Sequence, residues 1–255
     1  MSELFSIQLQ NRQQQGRDGI WLDLPTTTEQ VQAALRQIGI SSDNPQGLFI
    51  SGYFAEEEKR FAIPYNMVLA SNVDELNFLA ARLETLSAGE RAELNAALQA
   101  PQSELSSIGR ITDFPENVDY YVHLPDVRGP AQLGDYYLNR SGMVDMPEEW
   151  KGGIDTAQFG RYVAQQEQGV FTQYGYLVKS GDEWQKVHEG QPVPEEYRVL
   201  SFPVSEILRD AANIPPPVQP ETEPQKVIPI ILNGKDSAER MKEITDRLET
   251  GIQQL

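Results

Sequence analysis

The sequence predicts an α+β protein assembled from small units, and three observations carry that prediction. Phe5, Ile7 and Leu9 alternate with polar residues, as in a half-buried strand. At Asn72 the apolar period becomes helical and stays so past Leu98. Strand patterning returns at 120–124, ahead of two further helices and a pair of short strands.

The first unit, 1–71, reads as a small mixed α/β sheet domain. A turn at 16–19 leads from the first strand into a second at 20–24, which Pro25 stops. Thr27 and Gln30 have the spacing of a capping box, and Val31, Ala34, Leu35 and Ile38 follow on one helical face until Gly39. A third strand is expected at 48–53, with Glu56, Glu57 and Glu58 at its exit in solvent.

The second unit, 72–112, is helical. Asn72 with Glu75 and Ser87 with Glu90 form two further capping boxes, the first before Leu76, Leu79, Ala80 and Leu83, the second before Leu94, Ala97 and Leu98. Pro101 ends the pair, and a short turn is expected at 105–108. The third unit, 113–190, opens with the strand at 120–124. A helix at 131–141 follows, with Leu133, Tyr136, Tyr137 and Leu138 on a broad aromatic face that Gly142 ends. Asp155 and Gln158 cap the next helix, which carries Phe159, Tyr162 and Val163; those aromatics read as core or dimer contact. Strands at 170–172 and 175–179 come next, and 183–187 is expected to extend their sheet as a hairpin.

The remainder, 191–255, differs in kind. Five prolines in 214–226 make a semi-rigid linker, followed by an apolar run at 227–232. An amphipathic helix at 237–255 carries Ala238, Met241, Ile244, Leu248, Ile252 and Leu255 in one stripe. That stripe fits a partner-docking helix or the opening of a further domain, and the second is favoured.

Charge excludes several functions. The chain has 38 acidic and 21 basic side chains, a net −17. The excess is even: 14 acids against 8 bases in 1–112, 10 against 5 in 113–179, and 14 against 8 in 180–255. Carboxylates interleaved with apolar residues decorate a folded surface, and its field repels nucleic acid and anionic membrane while attracting basic proteins. Direct nucleic-acid binding by 1–179 is therefore not expected, and no apolar run has the roughly 20 residues of a membrane helix. With no cysteine there is no disulfide or thiolate metal site, which fits a reducing cytoplasm. Residues 1–16 lack the basic start and apolar stretch of a secretory signal.

Catalytic chemistry finds no motif. His123 sits in an expected strand and His188 near a turn, neither in a metal-binding helix nor beside a nucleophile loop. Lys151-Gly152-Gly153 and Asn233-Gly234-Lys235 lack the spacing of phosphate cradles. Among so many acids, a carboxylate pair at glycosidase spacing carries no specificity. No catalytic residue, cofactor or metal ligand is assigned.

A family resemblance lies in Tyr136-Tyr137-Leu138, Gly142, Pro147-Glu148-Glu149, Ile154-Asp155, Phe159-Gly160-Arg161, Gly169-Val170-Phe171 and Gly175-Tyr176. Earlier in the chain it includes Gly19 to Pro25, Ile50-Ser51-Gly52-Tyr53 and Leu76-Asn77-Phe78-Leu79-Ala80. In this order the segments resemble the antirestriction proteins of the ArdA type over about 3–179. The resemblance implies an elongated homodimer of three small domains per chain, without enzymatic activity. Such a dimer imitates B-form DNA and occupies the DNA-binding groove of type I restriction-modification enzymes. Residues 241–249 resemble, more weakly, the start of an ArdC-type single-stranded-DNA-binding domain, which implies the front part of a larger mobile-element polypeptide.

Mimicry requires carboxylates near the density of duplex phosphate, and a dimer's doubled charge would cover on the order of 58 Å at one charge per ~1.7 Å. The candidates for that partner-binding surface are Glu56, Glu57, Glu58, Asp113, Glu116, Asp119, Asp126, Asp135, Asp145, Glu148, Glu149 and Asp155. Arg128, Arg140, Lys151 and Arg161 interrupt it. The competing expectation is a non-catalytic protein-interaction module of a mobile element, acidic for solubility and without mimicry.

Overall fold

The computed structural model describes residues 4–14, 18–41, 46–56, 60–101 and 103–200. The expected linker at 214–226, apolar run at 227–232 and helix at 237–255 lie outside these residues, as do Glu57 and Glu58.

The α+β expectation holds: two antiparallel three-stranded sheets and several helices are present. In the first sheet β1 (Phe5–Asn11) lies between β2 (Ile20–Leu24) and β3 (Leu48–Phe54). Strict alternation buries Phe5, Ile7, Leu9 and Asn11 on one face, where α1 (Thr28–Gln37) covers them with Val31, Ala34 and Leu35. The Thr27–Gln30 capping box is formed in both directions, and Gly39 at φ 71° turns the chain after the helix. Buried Asn11 is satisfied by donating to the Ile38 carbonyl at 2.9 Å.

β3 contains a bulge that inverts its alternation. Consecutive Gln8 and Leu9 face Gly52 and Ile50, leaving Ser51 as the extra residue, with its Oγ 3.0 Å from Gln8 Oε1. Tyr53 consequently turns inward to an edge-on contact with Phe5, and Phe54 turns outward.

The helical region comprises α2 (Tyr65–Leu69), α3 (Val73–Glu84), α4 (Ala88–Gln99) and α5 (Ile108–Thr112). The Asn72–Glu75 and Ser87–Glu90 capping boxes are both formed. The short turn expected at 105–108 lies further on, in α5, because Ser107 accepts from the Arg110 amide and starts the helix there. Leu76, Leu79, Leu83, Leu94 and Ala97 merge with the first sheet's inner face into one core that reaches Tyr120, Tyr121 and Val199.

The second sheet sets β6 (Gly175–Lys179) between β4 (Tyr121–Leu124) and β5 (Val170–Thr172). Beside it pack α6 (Pro130–Asp135), continued by a π-turn at Tyr136–Arg140, and α8 (Thr156–Glu167), while the short α7 (Glu148–Lys151) between them in the chain buries no residue. α6 and α8 touch backbone to backbone: a Cβ on Gly160 would lie 1.8 Å from the Pro130 carbonyl oxygen, and one on Gly134 2.0 Å from that of Thr156. Val127, Leu133, Ala164 and Tyr176 form a small core of their own.

The hairpin expected at 183–187 is absent. The backbone of Gln185 pairs with the side chain of Asn117, which gives to the Gln185 carbonyl at 2.9 Å and takes from its amide at 2.7 Å. Those residues therefore belong to a strap laid over the helical region.

Candidate functional site

The candidate surface carboxylates occupy different environments. Glu56 is exposed just past β3, separate in the chain from the remainder. Asp119, Asp126, Asp145 and Glu149 are exposed on the short turns and helix starts between 118 and 149. Asp155 is exposed too, and it caps α8 by accepting from the Ala157 and Gln158 amides at 2.9 and 3.0 Å. Three others carry a cation: Glu116 pairs with Arg82, Asp135 with Arg140 at 2.9 Å, and Glu148 with Lys151 at 2.6 Å.

Asp113 requires a correction, because it is 0% exposed and presents nothing to a partner. Its two oxygens accept from the amides of His188 and Glu189 at 2.6 and 3.2 Å. The same device recurs along the strap. Asn117 holds Gln185, Asn77 Nδ2 donates to the Tyr197 carbonyl at 3.0 Å, and Asp74 Oδ1 accepts from the Val199 and Leu200 amides at 2.7 and 2.9 Å. Burial holds the Asp74 carboxyl above the usual carboxylate range, against the pull of those two amides. Four buried Asx side chains thus satisfy a segment that has no sheet partner.

Apolar and charged contacts complete the strap. Phe78 meets His188 at 5.0 Å and Tyr197 at 4.7 Å between ring centroids, and Trp184 stands edge-on to Tyr120. Charges alternate from Lys179 through Glu104, Arg110 and Glu189 to Lys186, with contacts of 2.9, 2.6, 2.8 and 3.3 Å. The Lys179 hydrogen bond lowers the Glu104 carboxyl, and the Arg110 hydrogen bond lowers that of Glu189. The strap also presents exposed Asp182, Glu183, Glu195 and Glu196, held on a fixed frame.

Two further carboxylates are set by burial. Glu93 on α4 has an oxygen without a hydrogen-bond partner; burial pushes its carboxyl up to about 8, with Glu90 and Asp119 adding to the effect. Glu167, at the end of α8, accepts from Tyr176 at 2.9 Å and from Tyr137. Burial, then Glu167 itself, raises both phenols, so each stays protonated as a donor.

Of the expected aromatic cluster, Tyr136 and Tyr137 are half-buried against the small core, while Tyr162 is exposed. His123 Nε2 lies 2.9 Å from the Tyr174 carbonyl oxygen, and His188 is held on Phe78. Among the described residues no group of three His, Cys, Asp or Glu is placed to hold a metal, and no helix is long and apolar enough to cross a membrane.

Sequence reasoning missed the Asx clamps and the strap. The available signal was polar Asp74 and Asn77 inside the apolar run of α3, where a solvated face should not be. Comparison with protein families matches residues 15–178 to the family described as "Antirestriction protein (ArdA)". No curated protein matches the chain.

Proposed function

The chain belongs to the ArdA family of antirestriction proteins, and on that premise we propose that it is a non-catalytic inhibitor whose carboxylates stand in for DNA phosphates in the groove of a type I restriction-modification enzyme. The observation that carries this reading is the family match over 15–178. The net charge of −17 and the exposed Asp119, Asp126, Asp145, Glu149 and Asp155 support it. The same reading takes the protein to be a cytoplasmic homodimer, with functional divisions near 71, 112 and 190, and includes Glu56, Glu57 and Glu58 in the mimicking surface. Fixed exposed carboxylates confront basic side chains spaced for phosphate, and long-range attraction speeds association at low salt.

The test is inhibition of DNA cleavage by a type I enzyme across a salt series. A mimic weakens steeply as salt rises and competes with DNA for the enzyme. Inhibition that ignores salt refutes groove occupation by charge. Reversing Asp119, Asp126 and Glu149 to lysine should weaken inhibition while circular dichroism stays unchanged.

One observation favours a second reading, an interaction module without mimicry. Glu116, Asp135 and Glu148 each already hold a cation, which lowers the charge available along that surface. A module of this kind binds the enzyme together with DNA, and the same competition experiment separates the two.

A further inference from the structure

We propose that the outer face of the first sheet, around Trp21 and Phe54, is a docking surface for an arginine- or lysine-bearing segment of the enzyme this chain inhibits. The inference rests on the antirestriction reading and adds to it a contact that is not phosphate-like.

The face is built by the bulge at Ser51. Because that extra residue inverts the strand, Phe54 joins Ser6 and Asp23 in one cross-strand row, and Trp21, Gln8 and Gly52 form the next. Trp21 is 50% exposed and Phe54 57%, whereas Ile20, Phe49 and Tyr53 along the same sheet are half-buried. The two rings stand edge to face at 6.4 Å. A Cβ on residue 52 would meet the Trp21 ring at 3.0 Å, so glycine lets the indole lie down over the sheet. Tyr65, also exposed, reaches the same strand through its hydroxyl, which donates to the Ser51 carbonyl at 3.1 Å.

Charge selects the occupant. Asp23 is exposed beside the rings, and Ser6 Oγ donates to its Oδ1 at 2.6 Å, which orients the carboxylate. Asp23 makes no ion pair among the described residues. A ring face next to a carboxylate takes a guanidinium or ammonium, and the ring quadrupole adds to the ionic attraction. The other end of this face holds such a contact internally, with Arg12 over the Phe49 ring at 5.2 Å. A nucleic acid would bring phosphate against Asp23 and the net −17. Two rings are also far short of the roughly 800 Å² per partner of a stable self-association.

The experiment measures binding of the full chain to a type I enzyme over a salt series, together with DNA cleavage and sedimentation. For the double variant Trp21→Ala and Phe54→Ala, affinity should fall on the order of tenfold or more with the slope of log affinity against log salt unchanged. Asp23→Asn should reduce that slope by about one. Trp21→Lys, which keeps a long side chain but repels a cation, should weaken binding as well. A double variant as potent as the wild type overturns the docking surface and leaves the family reading standing. A wild type that does not inhibit overturns both. A double variant whose oligomeric state changes overturns the proposal in favour of a contact between copies.

Discussion

The large core and the small one are held together in different ways. Around the first sheet and α1 to α5, apolar side chains are buried in a continuous body, and its polar interior residues serve to fasten the strap. Around the second sheet and α6 to α8 there is little to bury, and cohesion comes from glycine-to-glycine helix contact and two tyrosines sharing Glu167. A region short of apolar volume relies on close backbone approach and satisfied polar groups, whereas a region with a deep core can assign its polar groups to an added segment.

The sharpest test of that contrast is Gly160→Ala. Its Cβ would overlap the Pro130 carbonyl oxygen, so the small region should lose about 3 kcal/mol or more, read as a lower Tm and altered near-ultraviolet dichroism. Gly152→Ala, whose Cβ would find its nearest atom at 3.9 Å, is the matched control and should change Tm little.

Next comes Asp113→Ala, which strips two amides of their acceptor inside the large region. About 3 kcal/mol of stability should be lost in urea unfolding, with new protease cleavage in 182–192, while Asp119→Ala on the surface stays within about 0.5 kcal/mol. Equal effects from the two variants would remove Asp113 from its role as a clamp. A smaller loss, about 1 kcal/mol, is expected for Tyr176→Phe, because the ring still fills the small core and one hydrogen bond to Glu167 goes.

The last test concerns pH. Glu93 has its folded-state carboxyl raised from 4.5 to about 8, so the folded protein binds the extra proton between those values. Its contribution is fully present below pH 4.5 and is lost as pH rises towards 8. Glu104 and Glu189 run the other way: their lowered carboxyls contribute above the unfolded value of 4.5 and fail as pH falls below it. Thermal melts at pH 5 and 8 should show Glu93→Gln losing part of the wild type's alkaline decline.

Local rules made much of the fold legible. Three capping boxes, read from Thr27, Asn72 and Ser87 with their partners three residues on, are all formed, and β1 follows its alternation residue by residue. What failed was long-range. The segment 183–187 has strand-like composition, yet its Gln185 amide is claimed by Asn117, and the His188 and Glu189 amides just beyond it by Asp113, about 70 residues earlier. Asp113 sits between buried Ile111 and Phe114, but charge alone reads it as a surface acid, because the His188 and Glu189 amides that satisfy it inside lie about 75 residues later. The bulge at Ser51 was equally hidden, since one extra residue in β3 is defined only by its pairing with β1. The exposed acids at 119, 126, 145 and 149 were found by charge alone, which says nothing of which neighbours already hold a cation.

The grip of Asp74 on the Val199 and Leu200 amides also has a mechanical side. Tension drawn through the downstream chain reaches this anchor first, then the Asn77, Asp113 and Asn117 contacts in turn, before any of it loads β6. The strap is a strain relief: a tug from beyond residue 200 is absorbed by peeling, one fastening at a time, and the sheet behind it is spared.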